Sequence, residues 1–165
     1  MRPNELQFVE IEHKFIVDEQ FDLQAFRATI DQLHPTRTSS VQVQDRYFLT
    51  DVGKQRRFLI RHRYDPELHQ LTLKTLEEDT EVRSEINLDL GHHAGDQQAG
   101  IDAFLERLVV HWSGTLHKDI EVWHFSDIEI VHYHAKTNSR SVRCVEFEAT
   151  GQSSLTDAIA TLERY

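Results

Sequence analysis

Charged side chains recur at two-residue spacing along this sequence, and they sort by sign. Glu10, Glu12 and Lys14 lie in VEIEHKF, Glu146 and Glu148 in VEFEA, Arg61 and Arg63 in IRHR, Lys74 in LTLK, and Arg83 and Glu85 in VRSE. Glu-x-Glu on a strand offers two hard oxygen ligands on one side, the donor type that Mg²⁺ and Mn²⁺ take. Arg-x-Arg offers forked donors for phosphate oxygens, and lysine adds a compact positive charge. Placed together, such sets suit a polyphosphate held with a divalent cation, where positioning and charge neutralisation supply most of the catalysis.

Placing them together requires strands. Successive side chains on a strand point to opposite faces, so Val9, Ile11, His13 and Phe15 share one side and Glu10, Glu12 and Lys14 the other. One such strand reads as a surface strand with its polar face in water. Its repetition changes that reading. Thr72 and Lys74 alternate with Leu71 and Leu73; Arg83, Glu85, Asn87 and Asp89 alternate with Ile86, Leu88 and Leu90; Glu146 and Glu148 alternate with Val145 and Phe147. Solvated faces of a sandwich mix Thr, Ser, Lys and Glu without separating acid pairs from cation pairs. The segregation points to a barrel with apolar faces outward on helices and charged faces around a wet interior. Such an interior must nearly balance its charge. Glu10, Glu12, Glu85, Glu146 and Glu148 against Lys14, Arg61, Arg63, Lys74, Arg83 and Lys118 leave one positive charge. Divalent cations would increase that excess and a bound triphosphate would offset it.

The elements follow from periodicity and turn chemistry. After the first strand, Asp22 caps a helix carrying Leu23, Phe26, Ile30 and Leu33 up to Pro35. Then come the strands SVQVQDRYFLT, RRFLIRHRY, QLTLKTLEE and EVRSEINLDL, with turns at Asp51–Lys54 and around Asp65-Pro66. Ile101, Phe104, Leu105, Leu108 and Val109 mark a second helix, ahead of the strands TLHKDIEVWHF, DIEIVHYHA and SVRCVEFEA. Ser153-Ser154 opens a last helix through Leu155, Ile159 and Leu162. Links this short make neighbours antiparallel. The expectation is α+β: an eight-stranded antiparallel β-barrel with about three flanking helices.

Composition sets outer bounds. A length of 165 residues suits one domain spanning the chain, and a net charge of −10 argues against broad binding to nucleic acid or anionic membrane. The single cysteine, Cys144, excludes an intrachain disulfide and any thiol-cluster zinc site. Neither a secretion signal nor a run of about 20 apolar residues is present, so the expected setting is cytoplasmic, as monomer or homodimer. His132 and His134 share a strand face and read as packing or surface residues, His92-His93 as a solvated loop, and Trp112 and Trp123 as core or outer-wall residues.

Together these residues resemble the CYTH domain, the triphosphate tunnel metalloenzyme superfamily. The likeness rests on Glu10-x-Glu12-x-Lys14, Asp45-Arg46-Tyr47-Phe48, Arg61/Arg63, Lys74, Arg83/Glu85, Lys118 and Glu146/Glu148, and it spans nearly the whole chain. It implies hydrolysis or cyclisation of a small-molecule triphosphate with Mg²⁺ or Mn²⁺. Glu10, Glu12, Glu146 and Glu148 would be metal ligands. Lys14, Arg61, Arg63, Lys74, Arg83 and Lys118 would grip phosphates, with Lys14 and Glu85 catalytic. Three positions depart from the family pattern: Ile120 stands where an arginine often follows Lys118, Leu49 where an Asp is usual after Tyr47-Phe48, and EIVHYHA shows His132, Tyr133 and His134 where an acid often helps hold metal.

With no separate base-recognition module, the first expectation is hydrolysis of inorganic triphosphate by a metal-activated water. A class IV-type adenylate cyclase ranks second, because Arg2 and Pro3 stand where cyclase members carry His-Phe. A polyphosphate- or nucleotide-binding module with weakened catalysis is the third reading, motivated by the departures.

Overall fold

The computed structural model describes residues 8–76 and 82–165. Eight strands form, β1 (Val9–Val17), β2 (Arg37–Thr50), β3 (Phe58–Tyr64), β4 (His69–Thr75), β5 (Val82–Asp89), β6 (Val110–His124), β7 (Ile128–Lys136) and β8 (Ser141–Ala149). They close in the order β1-β5-β4-β3-β2-β6-β7-β8. Every neighbouring pair is antiparallel; short links require this of consecutive strands such as β3/β4, β6/β7 and β7/β8, while β1/β5, β2/β6 and β1/β8 join strands distant in sequence. The expected barrel is therefore present.

Among the described residues four helices accompany it, one more than expected: α1 (Leu23–Asp31), α2 (Asp51–Arg56), α3 (Gln98–Glu106) and α4 (Leu155–Leu162). Asp22 caps α1 through the amides of Gln24 and Ala25, and Ser154 caps α4 through that of Asp157. The predicted turn at Asp51–Lys54 is instead the short helix α2, whose first turn is fixed by Thr50 Oγ1 accepting from the Gly53 amide. Glycine is needed there: a Cβ at position 53 would stand 2.6 Å from the carbonyl oxygen of Phe58. The second predicted helix ends earlier than its apolar spacing suggests, because Val109 takes a left-handed φ of 57° and turns the chain into β6. Trp112 accordingly lies on β6, opposite Leu49, and is exposed.

Three of the helices cover parts of the outward faces of the strands, while Phe15, Ile86 and Leu88 stay exposed. Ile11 and Ile128 pack with Ala158 and Leu162 of α4; Phe48 and Ile60 pack with Ile101 and Leu105 of α3; Trp123 and Ile130 pack with Ile30 of α1. Trp123 is fully buried, so it belongs to the outer packing layer and not to the barrel interior. These contacts commit the alternate residues to the inside. Removing the Trp123 side chain would cost about 3–5 kcal/mol. Tyr133, Ala135 and Cys144 form an apolar cluster whose register places them on the inward face, where they close part of the interior. Among the described residues, no helix is long and apolar enough to cross a membrane.

Candidate active site

The barrel interior holds a cavity of about 470 Å³, and all eleven residues singled out by alternation line it: Glu10, Glu12, Lys14, Arg61, Arg63, Lys74, Arg83, Glu85, Lys118, Glu146 and Glu148. Two larger hollows, of about 780 and 580 Å³, include none of the Glu-x-Glu acids. Strand register explains the convergence. Glu12 lies opposite Glu148 and Lys14 opposite Glu146 across β1 and β8, Glu10 opposite Arg83 across β1 and β5, and Lys74 opposite Glu85 across β4 and β5.

Acids and cations meet in a chain of ion pairs. Lys14 Nζ lies 2.6 Å from Glu146 Oε1, and Arg83 Nη2 donates to Glu12 Oε1 at 2.5 Å. Lys74 Nζ bridges Glu10 at 3.2 Å and Glu85 at 2.6 Å. Arg61 Nη2 donates to Glu85 at 3.3 Å and to Thr72 Oγ1 at 3.1 Å. Arg63 forks onto Asp45 through Nε at 2.7 Å and Nη2 at 2.8 Å, and Lys118 Nζ reaches the same carboxylate at 3.0 Å. Lys14 and Lys118 also sit 5.3 and 5.2 Å from the centre of the Tyr133 ring, close enough for its π face to attract both charges.

The electrostatics divide the acids into two groups. Burial opposes ionisation of Glu85, but Lys74 and Arg61 outweigh it and hold its pKa below the ordinary value. Glu146 is likewise lowered against burial, by Lys14, Tyr133 and Lys118. Glu148 behaves oppositely: burial and repulsion from Glu10, Glu129, Glu12 and Glu85 push it up to about 8. Glu12 rises to about 7 through burial and repulsion from Glu146 and Glu10, against Lys14 and Arg83. Burial also raises Glu10, with Lys74 opposing and Glu85 adding to the rise.

Several residues in and around the cavity were given no role in the sequence reading. Asp45 is fully buried and anchors both Arg63 and Lys118. Burial alone would raise its pKa, yet Arg63, Lys118 and Arg61 hold it well below the usual carboxylate range. Glu129 corrects the apparent absence of an acid on β7: it lines the cavity opposite Glu148. The signal was present in Ile128 and Ile130, whose burial under α4 and α1 forces the residue between them inward. Glu129 Oε1 accepts from His124 Nδ1 at 2.8 Å, and Arg37 Nη2 stands 3.1 Å from the other ring nitrogen of His124. Arg37 is thus an additional cation on the cavity wall.

The histidines play no direct part in this cavity, apart from His124. His132 packs against Phe21 on the outer face, and His134 shares that face. His92 is exposed as expected, yet it is not free in solvent, because Nε2 donates to the Asp65 carbonyl at 2.9 Å and its ring meets Tyr64.

The donor set fits a hard divalent cation. Glu10, Glu12, Glu129 and Glu148 present carboxylates only, and the high pKa values of Glu12 and Glu148 reflect burial first and then a crowding of negative charge that a cation would relieve. Among the described residues, Glu148 has no cation paired with it. Nor do any three His, Cys, Asp or Glu side chains among them stand ready as a complete ligand group. The acids are instead engaged mainly by the phosphate-type cations.

A family model described as the CYTH domain matches residues 9–158. Solved structures share the fold at low identity. A protein from Pyrococcus horikoshii OT3 is 16% identical with a TM-score of 0.71, covering 94% of this chain and 86% of its own. A putative adenylate cyclase from Bacillus halodurans is 19% identical with a TM-score of 0.56, covering 94% and 88%. A putative adenylyl cyclase from Hippeastrum, described as having a dominant triphosphatase activity, is 16% identical with a TM-score of 0.53, covering 94% and 85%. No curated protein sequence matches the chain.

Proposed function

This chain belongs to the CYTH domain family, and from that membership we propose that it hydrolyses the terminal phosphoanhydride of a triphosphate compound with the help of a divalent metal ion. The observation that supports the reading is the convergence of the two Glu-x-Glu pairs and six cations on one cavity. The Hippeastrum neighbour weighs towards hydrolysis over cyclisation, since its described activity is predominantly that of a triphosphatase.

The ion pairs suggest how the site loads. Each cation already has an acid partner, so an incoming triphosphate competes with carboxylates for Lys14, Arg61, Arg63, Lys74, Arg83 and Lys118. Carboxylates released in this way become available to metal. Mg²⁺ or Mn²⁺ held by Glu10, Glu12, Glu146 and Glu148 would neutralise phosphate charge and lower the pKa of water. Arg61 and Lys74, steadied by Glu85, hold the chain in line, and Lys14 balances charge on the phosphoryl group being transferred. The oxygen of water bonds to the terminal phosphorus as the bridging P–O bond breaks. Orthophosphate and the shortened chain leave, with one proton released to solvent. Arg37 lines the same cavity and compensates in charge for the arginine that Ile120 replaces.

Phosphate release from triphosphates with Mg²⁺ or Mn²⁺ tests the reading. Glu10→Gln and Glu148→Gln should each slow turnover by roughly a hundredfold or more. Equal rates in wild type and both variants would overturn it, and cyclic AMP as the main product from ATP would replace hydrolysis with cyclisation.

A further inference from the structure

Strand register carries one row of residues across five strands of the barrel. Arg37 lies opposite His124 across β2 and β6, His124 opposite Glu129 across β6 and β7, Glu129 opposite Glu148 across β7 and β8, and Glu148 opposite Glu12 across β8 and β1. All five line the cavity. Three carboxylates therefore stand side by side on neighbouring strands, an arrangement that is destabilising unless its ends are held. Glu12 is held at one end by Arg83, at 2.5 Å. The Glu129 end is held differently.

Hydrogen-bond chemistry fixes how. Arg37 Nη2 stands 3.1 Å from His124 Nε2, and Ser39 Oγ stands 3.0 Å from the same atom. A guanidinium can only donate, so Nε2 carries the lone pair and the ring proton sits on Nδ1. That Nδ1–H donates to Glu129 Oε1 at 2.8 Å. Each of the six cations that face the other acids touches a carboxylate directly, whereas here an imidazole stands between arginine and acid. The difference matters to the carboxylate. A guanidinium fork occupies both oxygens, as Arg63 does on Asp45. The imidazole takes one, and among the described residues Glu129 Oε2 accepts no hydrogen bond. Glu129 is thus oriented and still open, beside Glu148.

We propose that Arg37 and His124 are positioning residues: Arg37 fixes the Nδ1–H tautomer of His124, and His124 aims the Glu129 carboxylate along the row it shares with Glu148 and Glu12. A divalent cation arriving at those acids then meets an oxygen donor already oriented. The inference rests on the reading of the cavity as a metal-dependent triphosphate site, and it adds two residues that act through Glu129. Partners of this kind set the direction of a carboxylate before the metal arrives, and losing one typically weakens metal affinity by about 10- to 100-fold.

The test joins calorimetry with Mn²⁺ alone to nitrogen NMR of the imidazole, whose His124 signal is the one missing from His124→Asn. Wild type should show the Nδ1–H pattern, and Arg37→Ala should admit the Nε2–H form. His124→Ala should weaken Mn²⁺ binding by about tenfold or more, and His124→Asn, whose amide N–H stands in for Nδ1–H, should return it to within about threefold of wild type. A loss of folded protein lowers the number of sites and leaves the affinity of those that remain. An Nε2–H pattern in wild type, an alanine variant that binds as wild type does, or an asparagine variant no better than alanine overturns the inference. In turnover with inorganic triphosphate, His124→Ala should raise the Mn²⁺ needed for half-maximal rate by the same factor and leave the rate at saturating Mn²⁺ within about threefold. Affinities in this order with no hydrolysis would uphold the inference and overturn the proposed hydrolysis; hydrolysis with unmoved affinities would do the reverse. A wild type that binds no Mn²⁺ overturns both.

Discussion

Asp45 shows how much of this site depends on a single buried charge. Its carboxylate, fully excluded from solvent, is shared by the guanidinium of Arg63 and the ammonium of Lys118. Removing one partner of a buried ion pair leaves uncompensated charge in a poorly hydrated setting and costs about 3–5 kcal/mol. Asp45→Asn should therefore lower unfolding stability by about that amount in urea titrations, more than any exposed Asp→Asn change on the outer surface. Glu148 is the contrasting case. It has no cation paired to it among the described residues, and burial and four neighbouring acids push its pKa up, as the proposed metal role would lead one to expect.

At the scale of the element, β3 has two opposite faces. Arg61 and Arg63 point into the cavity, while His62 between them is buried on the outer side beside His69 of β4, with Nε2 atoms 3.2 Å apart. Burial lowers the His62 pKa to about 4, with Arg46 and His69 adding to the effect against Asp96 and Asp102. A base depressed on folding binds protons more readily in the unfolded chain. Its contribution to stability is complete above the unfolded value near 6.5 and is lost as pH falls from there to about 4. Glu12 and Glu148, raised on folding, act in the opposite sense over most of that window, so the His62 contribution is read as a difference: the melting temperature of wild type relative to His62→Leu should fall as pH drops from about 6.5 to about 4. An unchanged slope in the variant would show that another group carries the acid sensitivity.

At the scale of the whole molecule, closure of the barrel would couple the two ligands of the proposed reaction. Metal and triphosphate would take opposite members of the same ion pairs, so binding of each should be favoured by the other. A ligand at a hundred times its Kd stabilises the folded state by about 2.7 kcal/mol. Melting with Mn²⁺, with triphosphate and with both should give a combined shift larger than the two single shifts added. A merely additive shift would argue against exchange of partners within the cavity.

The periodicity of two residues, the acid and cation pairs and the turn chemistry determined the strands, their antiparallel links and the eleven cavity residues. All of that is local: alternation follows from strand geometry, and caps such as Asp22 and Ser154 act within one turn. What tertiary structure decided was set by partners distant in sequence. Asp45 acquires its role only because β2 lies between β3 and β6, which bring Arg63 and Lys118 to it. Glu129 becomes a cavity residue only once Ile128 and Ile130 are buried under α4 and α1. Val41, Ile120, Val122 and Val131 join the cavity wall only through the side-by-side register of β2, β6 and β7, because four scattered aliphatic residues look like any others until the closed sheet shows that they line the same cavity as the charges.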